Sequence, residues 1–170
     1  MNQDIGRAIV FSMPVVSAAV SLILISLDTT RSSNTVDRKI HYNMIAVYCL
    51  MILFWSGLVM HSIARDTFIA YLPVFFSSFA FIPVFLYRIT HIITDTGERK
   101  LFPACHFILP ACLTLIICAI ALAVPLRQRW AAIYDNEVNL TSAIIDITFI
   151  VCILLCILYS WLSLLRIKSY

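Results

Sequence analysis

Residues 88–110 read R-I-T-H-I-I-T-D-T-G-E-R-K-L-F-P-A-C-H-F-I-L-P. They form the most polar interruption in the middle of a chain that is otherwise nearly all apolar. They hold three of the twelve Lys and Arg residues and two of the four histidines. On either side lies an apolar run long enough to cross a hydrocarbon core of about 30 Å at about 1.5 Å per residue. A polar interruption between two such runs is a connector between two membrane spans, and this reading sets the fold of the rest.

Working outward from the connector, the apolar residues fall into five blocks, near 8–27, 42–60, 67–87, 102–126 and 143–165. Hydrophobic residues make up 62% of the chain and charged residues 12%, against roughly 45–50% and 25% in soluble proteins. One soluble core helix can be this apolar, but 170 residues cannot bury five in succession. The expected fold is all-α, a polytopic transmembrane bundle of five spans forming one domain over residues 1–170. The net charge of +3 carries little information about partners, because the basic residues sit at segment ends and form no nucleic-acid stripe.

The first block carries Arg7 offset by Asp4 and an apolar run of about 20 residues, longer than the 7–15 of a signal-peptide core, so an uncleaved span is expected. Pro14 should bend it. Ser17 and Ser21 form a small-xxx-small pair that would admit a neighbouring helix. Residues 28–39 read as a polar linker rich in Ser, Thr, Asn and Asp, and residues 61–66 as a tight turn that makes an antiparallel hairpin of blocks two and three.

Block three is the aromatic one, with eight of the 21 aromatic residues. Phe68, Tyr71, Phe75 and Phe79 share a helix face, and Pro73 and Pro83 should kink it. Such a helix can line a ligand cavity; packing against neighbours and lipid is the plainer expectation. Phe102-Pro103 marks a helix start. The fourth block should break at Pro110 and end near Pro125. In residues 127–142, Trp130, Ile133 and Tyr134 are spaced as a short amphipathic helix in the interface. Asn139-Leu140-Thr141 matches a glycosylation sequon but lies close to a span. Tyr159 and Trp161 read as interfacial anchors at the far end of block five, stopped by Arg166 and Lys168.

Sorting the loops by Lys and Arg gives eight on the side of the first loop, the connector and the tail, and four on the side of Arg7, Arg65, Arg127 and Arg129. By the positive-inside rule the N-terminus is outside and the connector and C-terminus are cytoplasmic.

Within that orientation the connector resembles a known family. Arg88-Ile89-Thr90, a polar turn, Phe102 and then His106-Phe107-Ile108-Leu109-Pro110 are similar to the R-[LI]-T step, the phenylalanine and the H-[YF]-x-x-P helix opening of membrane-anchored AraC-type transcription regulators of the Bacteroides group. The terminal Arg166-Ile167-Lys168-Ser169-Tyr170 is similar to their basic R-x-x-x-Y step. The resemblance implies a polytopic sensory or anchoring module in a bacterial inner membrane, with a DNA-binding domain following the membrane part. These 170 residues hold no helix-turn-helix domain, so DNA binding is not assigned to them, and a fragment or a truncated gene product is expected.

No catalytic constellation stands out, and no enzyme activity, cofactor or metal is expected. There is no H-E-x-x-H, phosphate-binding glycine loop or nucleophile elbow. The six cysteines form no C-x-x-C pair and suit apolar packing. The candidate functional residues are Asp146, Arg88, His106, Arg127 and Arg129. Arg88 and His106 bracket the connector turn around Thr94-Asp95-Thr96-Gly97. His106 would satisfy backbone groups at a helix start. Asp146 lies between Ile145 and Ile147, where a charge is costly. It either snorkels to the interface or faces the bundle and pairs with Arg127 or Arg129. The expected partners are the lipid bilayer and a ligand of unspecified kind, with a homodimer compatible. A small transporter or channel subunit is the alternative reading, although no internal repeat supports it.

Overall fold

A computed structural model describes residues 2–31, 34–94, 102–135 and 138–169. Within them lie six α-helices: α1 (Asn2–Arg31), α2 (Thr35–Ile63), α3 (Arg65–Ile93), α4 (Ile108–Ala123), α5 (Leu126–Tyr134) and α6 (Leu140–Ser169), with a 3₁₀ turn at Ala104–Phe107 leading into α4. Five segments are long and apolar enough to cross a membrane: α1, α2, α3, the 3₁₀ turn with α4, and α6. The all-α reading and its five apolar helices are therefore as expected.

The linker expected at residues 28–39 is largely helical. α1 runs to Arg31 and α2 begins at Thr35. The hydroxyls of Ser26, Thr29 and Thr30 donate to carbonyls three or four residues earlier in their own helix, so polar composition does not break it. Asn34 caps α2 by accepting from the Val36 N–H at 3.0 Å. Between α2 and α3 stands one residue, Ala64. Its N–H donates to the Met60 carbonyl at 2.7 Å and its carbonyl accepts from Phe68 at 2.9 Å. That places the two helices in the expected hairpin.

The N-L-T-S stretch acts as a cap. Asn139 Oδ1 accepts from the Ser142 N–H at 2.9 Å, and Ser142 Oγ accepts from the Asn139 N–H at 3.0 Å. This reciprocal pair starts α6.

The helices are arranged around α3. α1 packs on α2, α2 packs on α3, and α3 also touches α4, α5 and α6. α3 buries Phe68, Ile69, Leu72, Phe75, Phe76 and Val84. With Leu113 and Ile117 of α4 and Cys152, Leu155 and Tyr159 of α6 they form the core. The aromatic face of α3 meets α2. Phe54 lies 5.0 Å from the rings of both Phe75 and Phe79, and the Tyr71 hydroxyl donates to the Leu53 carbonyl at 2.9 Å. Gly57 permits this approach, since a Cβ there would stand 2.6 Å from Phe75 Cδ2.

Outside this core the surface is apolar. Val10, Met13 and Leu24 of α1, Leu115 and Leu122 of α4, and Ile147, Leu154 and Leu164 of α6 are all exposed. A continuous apolar surface of this extent is unfavourable in water and compatible with a membrane protein. On α1 the buried small residue is Ala18, while Ser17 is exposed.

Candidate functional site

Proline decides where the polar groups of this bundle meet. A proline inside a helix lacks the N–H that would bond the carbonyl four residues earlier. Pro110 lies in the first turn of α4 and is fully buried, so the His106 carbonyl receives no helical N–H from it. The break in the fourth block falls one turn before that proline, in the 3₁₀ turn, because the first turn of a helix tolerates proline. The Tyr159 hydroxyl of α6 donates to that His106 carbonyl at 3.2 Å. The same phenol oxygen lies 3.1 Å from His106 Nδ1. A phenol has one proton, so both contacts are satisfied together in the imidazole tautomer that carries its hydrogen on Nδ1.

Around this pair the connector end of the bundle is closed by rings and cations. The His106 ring lies 5.3 Å from Tyr87 and 5.0 Å from Phe102, and Phe102 also meets buried His91 edge-on at 5.5 Å. The Arg88 guanidinium stands 5.9 Å from the ring centroids of both Phe102 and Phe107, a cation–π arrangement. Arg166 Nε donates to Thr94 Oγ1 at 2.7 Å, fastening the last turn of α6 to the end of α3. Arg88 and His106 are thus brought to one site, with α3, the start of α4 and α6 all contributing. Residues 95–97 of the expected connector turn lie outside the described residues.

At the opposite end a second proline produces a second contact. Pro73 leaves the Ile69 carbonyl without its helical donor, and Arg129 of α5 supplies one. Arg129 Nη1 donates to the Ile69 carbonyl at 3.2 Å, and its Nε donates to the Val124 carbonyl at 3.1 Å. Arg129 is only 8% exposed, which makes it the buried residue of α5. The expected ion pair between Asp146 and Arg127 or Arg129 is not formed among the described residues. Arg129 is occupied by the two carbonyls. Arg127 is exposed and lines an open cavity with Asp66, Trp130 and Asp135. Asp146 is exposed, at the edge of a separate cleft between α2, α3, α5 and α6.

Beside it, Arg65 stands 5.1 Å over the Tyr134 ring. Burial pushes the Tyr134 phenol above its usual range, the Arg65 guanidinium opposes this, and the Asp66 carboxylate adds to it. The phenol is therefore neutral at physiological pH.

Among the described residues no three of His, Cys, Asp and Glu stand close enough to hold a metal ion, and the six cysteines form no disulfide. The chain matches no protein-family model, no curated protein and no solved structure.

Tyr159 was missing from the expected site. As an aromatic residue near the end of an apolar block it reads as an interfacial anchor, yet it is 5% exposed and faces His106. Trp161, two residues on, is exposed. The signal for Tyr159 is indirect: Pro110 announces a carbonyl in need of a donor, and a tyrosine on a neighbouring apolar helix is one of few groups able to supply it.

Proposed function

We propose that this chain is a membrane-embedded sensory or anchoring module, resembling the N-terminal part of a membrane-bound AraC-type transcription regulator. The observation that carries this reading is the connector-end cluster. Arg88, His106, Tyr159 and the Arg166–Thr94 bond tie the end of α3 and the start of α4 to the last turns of α6. In the regulators that the connector resembles, the DNA-binding domain follows the membrane part, so α6 is the helix through which a signal would leave. Sub-ångström shifts at one end of such a bundle become discrete changes where a hydrogen-bonded cluster has two arrangements. The basic majority supports a cytoplasmic position for this cluster and an outside position for the α5 end.

The test joins the chain at residue 169 to a helix-turn-helix domain driving a reporter promoter. Arg88→Ala, His106→Ala and Tyr159→Phe should each change reporter output at unchanged membrane abundance. If all three signal as the parent does, the cluster only holds the helices together and the sensory reading is lost. Solute uptake by the chain alone in proteoliposomes would instead favour the transporter alternative.

A further inference from the structure

The cleft at the α5 end combines two features. It encloses about 230 Å³ between α2, α3, α5 and α6. Four aromatic rings line it, those of Phe68, Phe75, Phe76 and Phe149, with His61 and Asp146 also contributing. Three of these rings and His61 form a connected set, in which Phe68 meets Phe75 edge-on at 5.5 Å, Phe75 meets Phe76 at 5.4 Å and His61 meets Phe68 at 5.0 Å, while Phe149 meets Phe79 at 5.8 Å. Asp146 is the only carboxylate in the lining among the described residues.

Three considerations converge on what such a cleft takes. A carboxylate at the rim of an otherwise apolar cleft favours a cation beside it. No arginine of this end pairs with Asp146 among the described residues: Arg129 is committed to the Ile69 and Val124 carbonyls, Arg127 lines a different cavity, and Arg65 lies over the Tyr134 ring, where its charge and that of Arg7 act on His61 of the same lining. Aromatic rings add attraction for a cation through their quadrupoles, most strongly where water is displaced. Asp146, exposed at the edge of the cleft, attracts a cation and repels an anion there, and an uncharged hydrocarbon gains nothing from it. The cleft has about the room of eight liquid waters, enough for a ligand of roughly ten bonded heavy atoms.

We infer that the cleft between α2, α3, α5 and α6 is a binding site for a small organic ammonium ion, whose charge sits against Asp146 and whose apolar arm lies among Phe68, Phe75, Phe76 and Phe149. The site lies at the end of the bundle remote from the His106–Tyr159 cluster, and its test does not depend on the sensory reading.

Phenyltrimethylammonium is the probe, and its uncharged carbon isostere, tert-butylbenzene, is the control. Binding of radiolabelled phenyltrimethylammonium is measured on the full chain in nanodiscs, with empty nanodiscs subtracted. Saturable binding is expected. Asp146→Asn should weaken it by about tenfold or more, which is about 1.4 kcal/mol, while Asp146→Glu retains most of it. Phe149→Leu should weaken it several-fold. Asp135→Asn changes the net charge equally at the same end but lies in the other cavity, and should leave binding unchanged. tert-Butylbenzene should displace the label poorly. The proposal is overturned if binding is not saturable, if Asp146→Asn binds like the parent, if Asp135→Asn weakens binding as much, or if tert-butylbenzene competes as well as the cation. The last result would make the cleft an apolar groove for a lipid chain.

Discussion

Arg129 should be energetically coupled to Pro73, and the coupling should be removable by restoring one backbone N–H. Arg129→Ala deprives the Ile69 and Val124 carbonyls of their donor. A buried acceptor left unsatisfied costs about 1–3 kcal/mol. Removing a buried charge returns part of its desolvation cost, so a net loss of about 2–3 kcal/mol is expected. Pro73→Ala supplies an N–H that can bond the Ile69 carbonyl within α3. In that background, loss of Arg129 should cost about 1–2 kcal/mol less, a coupling in the range of residues that share one partner. The assay is reversible unfolding in mixed micelles, followed by the fluorescence of the three tryptophans, on the parent, both single variants and the double variant. If the two single effects add to within about 0.5 kcal/mol, the Ile69 carbonyl is not what links them and the reasoning fails.

The same cycle applies at the other end. Tyr159→Phe should destabilise by about 1–3 kcal/mol, and by clearly less once Pro110→Ala provides an N–H for the His106 carbonyl; equal costs in both backgrounds would refute the pairing. Gly57→Ala should cost about 1–3 kcal/mol of overpacking, because its Cβ would stand 2.6 Å from the buried Phe75 ring; the combination with Phe75→Leu should recover part of this in the same unfolding assay. Periplasm-active reporter fusions near residue 136 should be active and those at residue 169 silent, and the reverse pattern would overturn the orientation drawn from the basic residues.

The existence of five helices is legible because each apolar block is long and because Gly is scarce. The hairpin of α2 and α3 is legible because only a few polar residues separate their apolar runs. Helix ends are less so. Residues 28–39 look like a linker, but hydroxyls that bond their own helix leave its backbone intact. The site is half legible. Arg88 and His106 flank a polar interruption and are brought together there. Asp146 stands out as a charge among apolar neighbours, but the expected pair does not form: Arg129 is engaged by the Ile69 and Val124 carbonyls and Arg127 is exposed beside another cavity. What the sequence conceals most is the pairing of a proline with a distant donor. Pro73 and Pro110 each mark a carbonyl in need, but Arg129 lies 60 residues beyond Ile69 and Tyr159 lies 53 beyond His106. No local periodicity connects such positions.

Those long separations also set a schedule for biosynthesis. α1 and α2 can pair as soon as both have emerged, since each finds its neighbour next in the chain. α3 cannot be completed so early. At about 5–20 residues per second, the Ile69 carbonyl waits roughly 3–12 seconds for Arg129 to be made. His106 waits a similar time for Tyr159. During that interval a nascent bundle carries open acceptors in its central helix and at the start of α4. α6 closes the second of these vacancies, so a ribosome that stalls before residue 159 leaves the His106 carbonyl without its phenol partner.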